Sequence, residues 1–485
     1  MTDDKISWHI LPVEIRLMTL KALSKTGCSL ANYATVCREW REIIERHNFT
    51  RIKLTIPRLS EFDAMTRRNQ IHVRYIWLCL ELQDYGRAES APLELKQQGM
   101  DNTDSTATKR AIHSPSDSVY WFKYLTFEPD VPSTNCDRGQ LPESMPAAAN
   151  VDQHRWTDDE NPFTHLPIRK VFDKIMGKGP FKSYEDEERW WFSLPLAPAV
   201  TAVLLRQQTR RRWKPKALSR LVSQFPRLRE FHYEPWREWN LLKQRAIDLD
   251  YQLLFESLAS CHLTKLTLFE NFNQRYPLHF RICSSLRQAK RGVGRVVAKA
   301  SLELEHLSAS FIIDASHFFQ AREPSWKWYN LTTLILTSEL LVPNENLDEA
   351  NDMLLEAAVA AREMPNLELL EIWNGRAGLA GLFRYQTPKY LQERFFKQPT
   401  VITWRGTWDF VLTPPVIEAW EAVTYGHHGN AYIIDKEVVD VNAIKSHGDA
   451  VYHLKLSKLV IRPLSLRQIR TEHMVGEEMF LVNQT

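Results

Sequence analysis

Apolar positions along the chain change period several times, and each change marks an element. Val13, Ile15, Leu17, Met18, Leu20 and Leu23 crowd most sides of one helix. Pro12 precedes them, where a missing N–H costs a first helical turn nothing. A helix that is apolar on several sides needs partners on more than one of them. Thr26-Gly27-Cys28 interrupt it, and Ser29 is a suitable N-cap for a second helix. Val36, Trp40, Ile43 and Ile44 then recur at i, i+4, i+7 and i+8, with Arg38, Glu39, Arg41, Glu42 and Glu45 on the other faces. The pattern predicts three short helices in a block at 6–54, too small to hide its own apolar surface.

A different grammar governs the rest. The pattern apolar-x-x-apolar-x-apolar recurs at Leu228/Phe231/Tyr233, Leu263/Leu266/Leu268, Leu331/Leu334/Leu336 and Leu367/Leu370/Ile372. Weaker copies start at Val73, Phe122, Val200 and Leu304. From Val200 onward the copies start roughly 27 to 41 residues apart. Helical stretches at 215–225, 242–258 and 348–363 precede three of them; the last carries Met353, Leu354, Ala357, Ala358 and Ala361 on one face. Helix, tight turn and short strand repeated at such intervals predict a leucine-rich-repeat-like solenoid. The alternative is an α/β domain whose strands share the pattern by coincidence.

The expected fold class is therefore mixed α/β: a small three-helix N-terminal unit, then an irregular leucine-rich-repeat-like helix/strand solenoid. Residues 55–83 are expected to form a linker and a first repeat-like strand, with another such strand at 119–128. Segments 84–118 and 129–167 lack periodicity and read as disordered segments or long loops. Irregular repeats are expected over 168–400. In the C-terminal cap, 401–485, Trp404, Trp408 and Trp420 would protect the open edge of the last repeat.

Composition narrows the functional classes. At 485 residues, 44% hydrophobic and 25% charged, the chain is globular and longer than one core usually serves. A net charge of +3 is too weak a field to imply a nucleic acid or anionic membrane partner. The cysteines form no C-x-x-C pair, which fits a reducing compartment. The acidic start Met1-Thr2-Asp3-Asp4 differs from the basic opening of a signal peptide. The uncharged stretch Trp190–Leu205 carries Pro195 and Pro198 and reads as buried core rather than a membrane span. A soluble protein of the cytoplasm and/or nucleus is expected.

Catalytic patterns are missing. The chain has no H-E-x-x-H, G-x-S-x-G or G-x-x-x-x-G-K-[ST]. Gly292-Val293-Gly294 stands alone, and His427-His428, between Gly426 and Gly429, reads as a turn without a neighbouring cysteine to complete a zinc set. No catalytic residue, cofactor or metal ligand is assigned, and the chain is not read as an enzyme. Two basic runs, 206–220 and 287–299, admit a nuclear-import signal, a nucleic-acid patch, capture of an acidic or phosphorylated segment, or a solvated helix face.

The N-terminal block resembles the F-box. The resemblance rests on Leu11-Pro12-Val13-Glu14-Ile15, Leu20, Leu23, Leu30, then Val36-Cys37-Arg38-Glu39-Trp40, Ile43 and Phe49. It departs at Cys28-Ser29, where many members place an acidic residue; Ser caps comparably. The Trp-rich segments 208–215 and 231–239 look like the bodies of fungal F-box proteins with degenerate leucine-rich repeats. The resemblance implies a substrate-recognition subunit of an SCF-type ubiquitin ligase. Such a subunit docks on a small Skp-type adaptor, and through it on a cullin, and presents a protein substrate with its remaining domain. The alternative is an F-box scaffold that targets nothing for degradation. The residues expected to meet the adaptor are Leu11, Pro12, Ile15, Leu23, Val36, Cys37, Trp40 and Ile43.

Strand alternation gives the expected substrate face. If the apolar positions of the repeat point into the core, alternate residues face outward. These are Arg206, Glu230, His232, Glu234, Lys265, Thr267, Phe269, His306, Glu371 and Trp373. Arg206, His232, Glu234, Lys265, Phe269, Glu371 and Trp373 are the substrate-binding candidates, with Phe269 and Trp373 expected as exposed aromatic anchors.

Overall fold

The structure, a computed structural model, describes residues 8–24, 30–79, 174–175, 181–207, 212–238, 240–274, 277, 287–343, 347–388, 399–428, 432–457 and 459–470. The expected segments 84–118, 119–128 and 129–167 lie outside these residues. The chain divides into two compact units, one holding described residues 8–79 and the other 174–470.

In the first unit, α1 (Val13–Ser24) and α2 (Arg38–Thr50) are joined through a 3-10 turn, Ala31–Thr35. The second helix expected from Ser29 is therefore reduced to that turn. Cys37 is extended (φ −160, ψ 174) and serves as the N-cap of α2, so the Val36 stripe is broken before it becomes helical. After α2 the chain forms β1 (Arg51–Thr55), α3 (Leu59–Thr66) and β2 (Tyr75–Cys79), and the two strands pair in parallel. The apolar pattern at Val73 thus builds a strand of this unit, not one of the large sheet. Leu20, Leu30, Ile44, Ile52 and Leu54 form its small core.

The second unit is a mixed α/β body around a nine-stranded sheet. Its elements in chain order begin with β3 (Lys174–Ile175), α4 (Tyr184–Ser193), β4 (Ala202–Leu205), β5 (Arg212–Trp213), α5 (Pro215–Ser223) and β6 (Glu230–Tyr233). There follow α6 (Leu241–Ala259), β7 (Lys265–Phe269), α7 (Arg291–Ala300), β8 (His306–Ser310), α8 (Ala315–Gln320), β9 (Thr333–Thr337), α9 (Leu347–Ala361) and β10 (Leu369–Arg376). The last elements are β11 (Leu379–Gln386), β12 (Thr400–Gly406), α10 (Pro414–His428), β13 (Tyr432–Val438) and α11 (His447–His453). The sheet order is β13-β12-β11-β10-β9-β8-β7-β6-β4, while β3 and β5 form a separate pair. From β4 to β10 every neighbouring pair is parallel. β10–β11 and β11–β12 are antiparallel, and β12–β13 is parallel again. The β10–β11 turn uses Gly378 at φ +71, where a side chain would be strained.

Parallel neighbours in chain order need a crossover between them, and α5 to α9 supply it. Local signals start these helices: Pro215 opens α5, and the Asn240 side chain accepts from Leu242 and Lys243 N–H to cap α6. Phe231, Tyr233, Leu266, Leu268, Leu307, Ala309, Leu334, Leu336, Leu370 and Ile372 join one core with α5 to α10. Those are the apolar positions of the repeated pattern. Trp404 and Trp420 are buried in the same core, and Trp408 packs partly against it. The expected cap therefore continues the sheet through β12 and β13 rather than closing it. His427 and His428 end α10 instead of forming a turn. The stretch 190–205 is only partly buried: Trp191 is enclosed, but Phe192, Leu196 and Leu204 are exposed.

Candidate functional site

Two surfaces contain the side chains singled out by the sequence. On the N-terminal unit, Arg16 Nη1 and the Trp8 indole N–H both bond Glu39 Oε2, at 3.0 and 3.1 Å, tying α1 to α2. Trp8 and Trp40 pack with ring centroids 5.0 Å apart. Leu20 of α1 is buried and Leu23 half-buried. Val13, Ile15, Leu17 and Met18 are exposed, as are Ile10 (75%) and Val36 (60%). Of the expected adaptor residues, Pro12, Ile15 and Val36 are exposed, while Leu11, Leu23, Cys37, Trp40 and Ile43 are half-buried. Trp40 thus serves largely to pin the helices. Val13, Leu17 and Met18, placed around α1 by their spacing but not among the expected adaptor residues, share this exposed surface with Ile10 of the preceding 3-10 turn.

On the second unit, strand register places the expected outward residues on one face, opposite the helices. Phe269, Ser310, Thr337 and Trp373 lie in one row across β7 to β10. His232, Thr267, Ser308, Ile335 and Glu371 form the next row, and Lys265 and His306 the row beyond. The side assignment from alternation holds. The expected exposure does not: Phe269 and Trp373 are 0% exposed, and His232, Glu234 and Glu371 are also buried. Arg206 and Lys265 are half-buried.

The cover is the chain's own segment 439–470, a strap crossing the sheet. Val439, Ile444, Ala450, Val451, Leu454, Val460, Ile461 and Ile469 form a second core with Phe269, Ile335, Trp373, Ala380 and Leu382. Polar contacts trace its path. Arg405 Nε donates to the His453 carbonyl at 2.8 Å, and Arg384 Nη2 to that of Lys455 at 2.6 Å. Glu371 accepts the Ser457 N–H, Glu234 accepts the Arg462 N–H and the Ser465 hydroxyl, and Gln207 Nε2 donates to the Ser465 carbonyl. At the other end His447 Nε2 lies 2.7 Å from Asn271 Oδ1, its ring stacked on Phe272.

Burial sets the electrostatics of this face. It pushes the Glu234 and Glu371 carboxyls above their ordinary range, against the pull of Arg206 and Arg384 respectively. Burial, with the Arg462 charge, lowers His232 to about 4. The neutral imidazole can then accept from Arg462 Nη2, 3.3 Å away. Among the described residues no group of three or more His, Cys, Asp or Glu could hold a metal ion. No helix of the described residues is long and apolar enough to cross a membrane.

The basic runs separate. Arg287 is buried, bonding Asp248 Oδ1 at 2.5 Å and Glu270 Oε2 at 2.6 Å, so it is a core ion pair and no part of a solvated face. Arg220 pairs with Glu188, and Lys216 lies over the Tyr184 ring. Arg295 makes an exposed pair with Glu323.

The fold and these surfaces define an α/β body with one sheet face under helices and the other under its own C-terminal strap. A family of unknown function, DUF6546, matches residues 258–462. That range runs from the end of α6 through β13 and the strap as far as Arg462. No curated protein and no solved structure matches the chain.

Proposed function

We propose that this protein is a substrate-recognition subunit of an SCF-type ubiquitin ligase, working in the cytoplasm or nucleus and carrying no catalytic chemistry of its own. Its F-box-like first unit docks on a Skp-type adaptor and, through it, on a cullin. Its leucine-rich-repeat-like body binds a protein substrate. The observation that carries the reading is the apolar surface of Ile10, Val13, Ile15, Leu17, Met18 and Val36, which coincides with the Leu-Pro…Val-Cys…Trp motif. Exposed apolar clusters of this kind mark protein interfaces. Sequential parallel strands whose crossover helices α5 to α9 share one side support the repeat-like description of the body.

The test is co-purification of the full chain with the adaptor. Replacing Pro12, Ile15 and Val36 by Ala touches exposed side chains, so the variant should keep its fold and lose at least about tenfold in adaptor capture. A folded variant that still captures the adaptor overturns the reading. Reconstitution with adaptor and cullin separates a ligase subunit from a scaffold: a scaffold holds its partner without ubiquitin being attached to it.

A further inference from the structure

Of the crossover helices α5 to α9, α6 alone shows water a row of large aliphatic side chains. Leu242, Leu249 and Leu253 are exposed, and exposed Ala246 completes their 4-3-4 spacing, so the four form one stripe along the helix. Ile247, Tyr251, Leu254, Phe255 and Leu258 take the opposite side and join the core. By contrast, α5, α7 and α8 expose no large apolar side chain, and α9 only Leu347 at its first position. The stripe is therefore no general consequence of covering a sheet with helices, and exposed apolar surface of this kind marks an interface. The charge beside it has one dominant sign. Gln252 of α6 meets α7, since a methyl group built on Gly292 would lie 2.8 Å from its Nε2. Arg245, seven residues before Gln252, shares that flank of α6 and is exposed. The sequence of α7 contains no acid, and its exposed Arg291, Arg295 and Lys299 recur at every fourth position. Arg295 pairs with Glu323 at 3.4 Å, with both side chains exposed, so that bond is weak. Against these four cations, Glu256 is the single exposed acid of α6.

We infer that the leucine stripe of α6, with the cations of α7 beside it, docks an amphipathic helix of a partner protein. The surface defines that helix. Its aliphatic residues recur at three- and four-residue spacing, to pack along Leu242, Ala246, Leu249 and Leu253. Its carboxylates line one flank, over Arg245, Arg291, Arg295 and Lys299, where opposite charge fixes its position along the stripe. A second copy docking through the same stripe would bring its own Arg291, Arg295 and Lys299 to the contact and add like charge, so the occupant is a different, acidic chain. The inference concerns the helical side of the second unit and does not rest on what the N-terminal unit binds.

The test titrates the full chain into a fluorescent helical peptide of 19 residues, the length of α6, with leucines at the same spacing and glutamates along one flank. A second peptide has lysines in place of the glutamates. Anisotropy should show micromolar capture of the acidic peptide, and capture of the basic one at least about tenfold weaker. Leu249→Gln with Leu253→Gln touches exposed side chains, so thermal unfolding should stay unchanged while capture falls at least about tenfold. Arg291→Glu, Arg295→Glu and Lys299→Glu together should invert the preference between the two peptides. The inference is overturned if neither peptide binds, if both bind alike, or if the leucine variant binds as the parent does. Two other results also overturn it. A dimer in sedimentation that the leucine variant dissolves makes a second copy the occupant, and binding to anionic phospholipid vesicles that the same variant abolishes makes it a membrane.

Discussion

Glu371, in the middle of β10, accepts the backbone N–H of Ser457 at 3.1 Å, 86 residues further along the chain. Its other oxygen holds Arg384 Nε at 2.8 Å. One carboxylate therefore joins the sheet, its antiparallel neighbour β11 and the strap. Glu371→Ala leaves a guanidinium and a peptide N–H without their acceptor in a closed interface. Breaking a buried pair of this kind costs about 3–5 kcal/mol. Denaturant unfolding measures the loss, and hydrogen exchange should show it first at residues 455–462.

His232 predicts how stability depends on acid. Its folded pKa of about 4 lies below the unfolded value of 6.5, because burial and Arg462 oppose its charge more than Glu230 favours it, with Lys265 adding to the opposition. Between those values the unfolded chain binds the extra proton, so stability rises with pH from 4 to 6.5 and is lost as pH falls through that window. The contribution reaches at most about 3 kcal/mol. His232→Leu should flatten this part of the profile, as read by thermal unfolding between pH 4 and 7. An unchanged slope would place the acid sensitivity elsewhere.

Gly375 sits where β10 passes beneath α11, and a methyl group built there would overlap the Cβ of Ala450. Gly375→Ala must push the helix away or bend the strand, at about 1–3 kcal/mol. The damage should be local, with faster amide exchange in α11 than in α9 on the other face. Equal acceleration on both faces would contradict this.

Buried and exposed apolar side chains both occur along α1. Leu20 is 2% exposed, whereas Ile15 is 45% exposed. Leu20→Ala should destabilise the N-terminal unit by about 2–5 kcal/mol. Ile15→Ala should stay within about 0.5 kcal/mol of the parent and show its effect only in partner binding. Urea unfolding followed by Trp8 and Trp40 fluorescence distinguishes them.

Arg287 neutralises two enclosed carboxylates, Asp248 and Glu270. Arg287→Met strands both, at about 3–5 kcal/mol. Burial already pushes the Glu270 carboxyl above its usual range, and losing the guanidinium raises it further. A raised carboxyl is a penalty that grows as pH climbs through its folded value and is relieved by protonation. The variant's deficit should therefore be larger at pH 8 than at pH 5, and adding Glu270→Gln should recover part of it.

Much of the sheet was legible in the chain. The repeated pattern found the strands at 230–233, 265–269, 306–310, 333–337 and 369–376, because strand alternation and core burial act on neighbouring residues. It also put Phe231 and His232 on opposite faces. What it missed was the fate of the second face. Nothing in the residues around Trp373 announces the strap, since the second core forms only when the chain returns across the sheet. The second N-terminal helix failed for a different reason. A helical stripe through Val36 and Trp40 is insensitive to one extended residue, and Cys37 is that residue.

By itself the sequence determined the elements that arise from local periodicity, the helix starts set by Pro215 and Asn240, and the division of each strand into two faces. These depend on residues a few positions apart, where backbone geometry alone sets the relation. Tertiary structure decided which faces water reaches. It left the apolar side of α1 open and closed the face of Glu371, Phe269 and Trp373 beneath the strap, because burial depends on which distant segments meet, and the period of a strand is the same whether its second face is wet or covered.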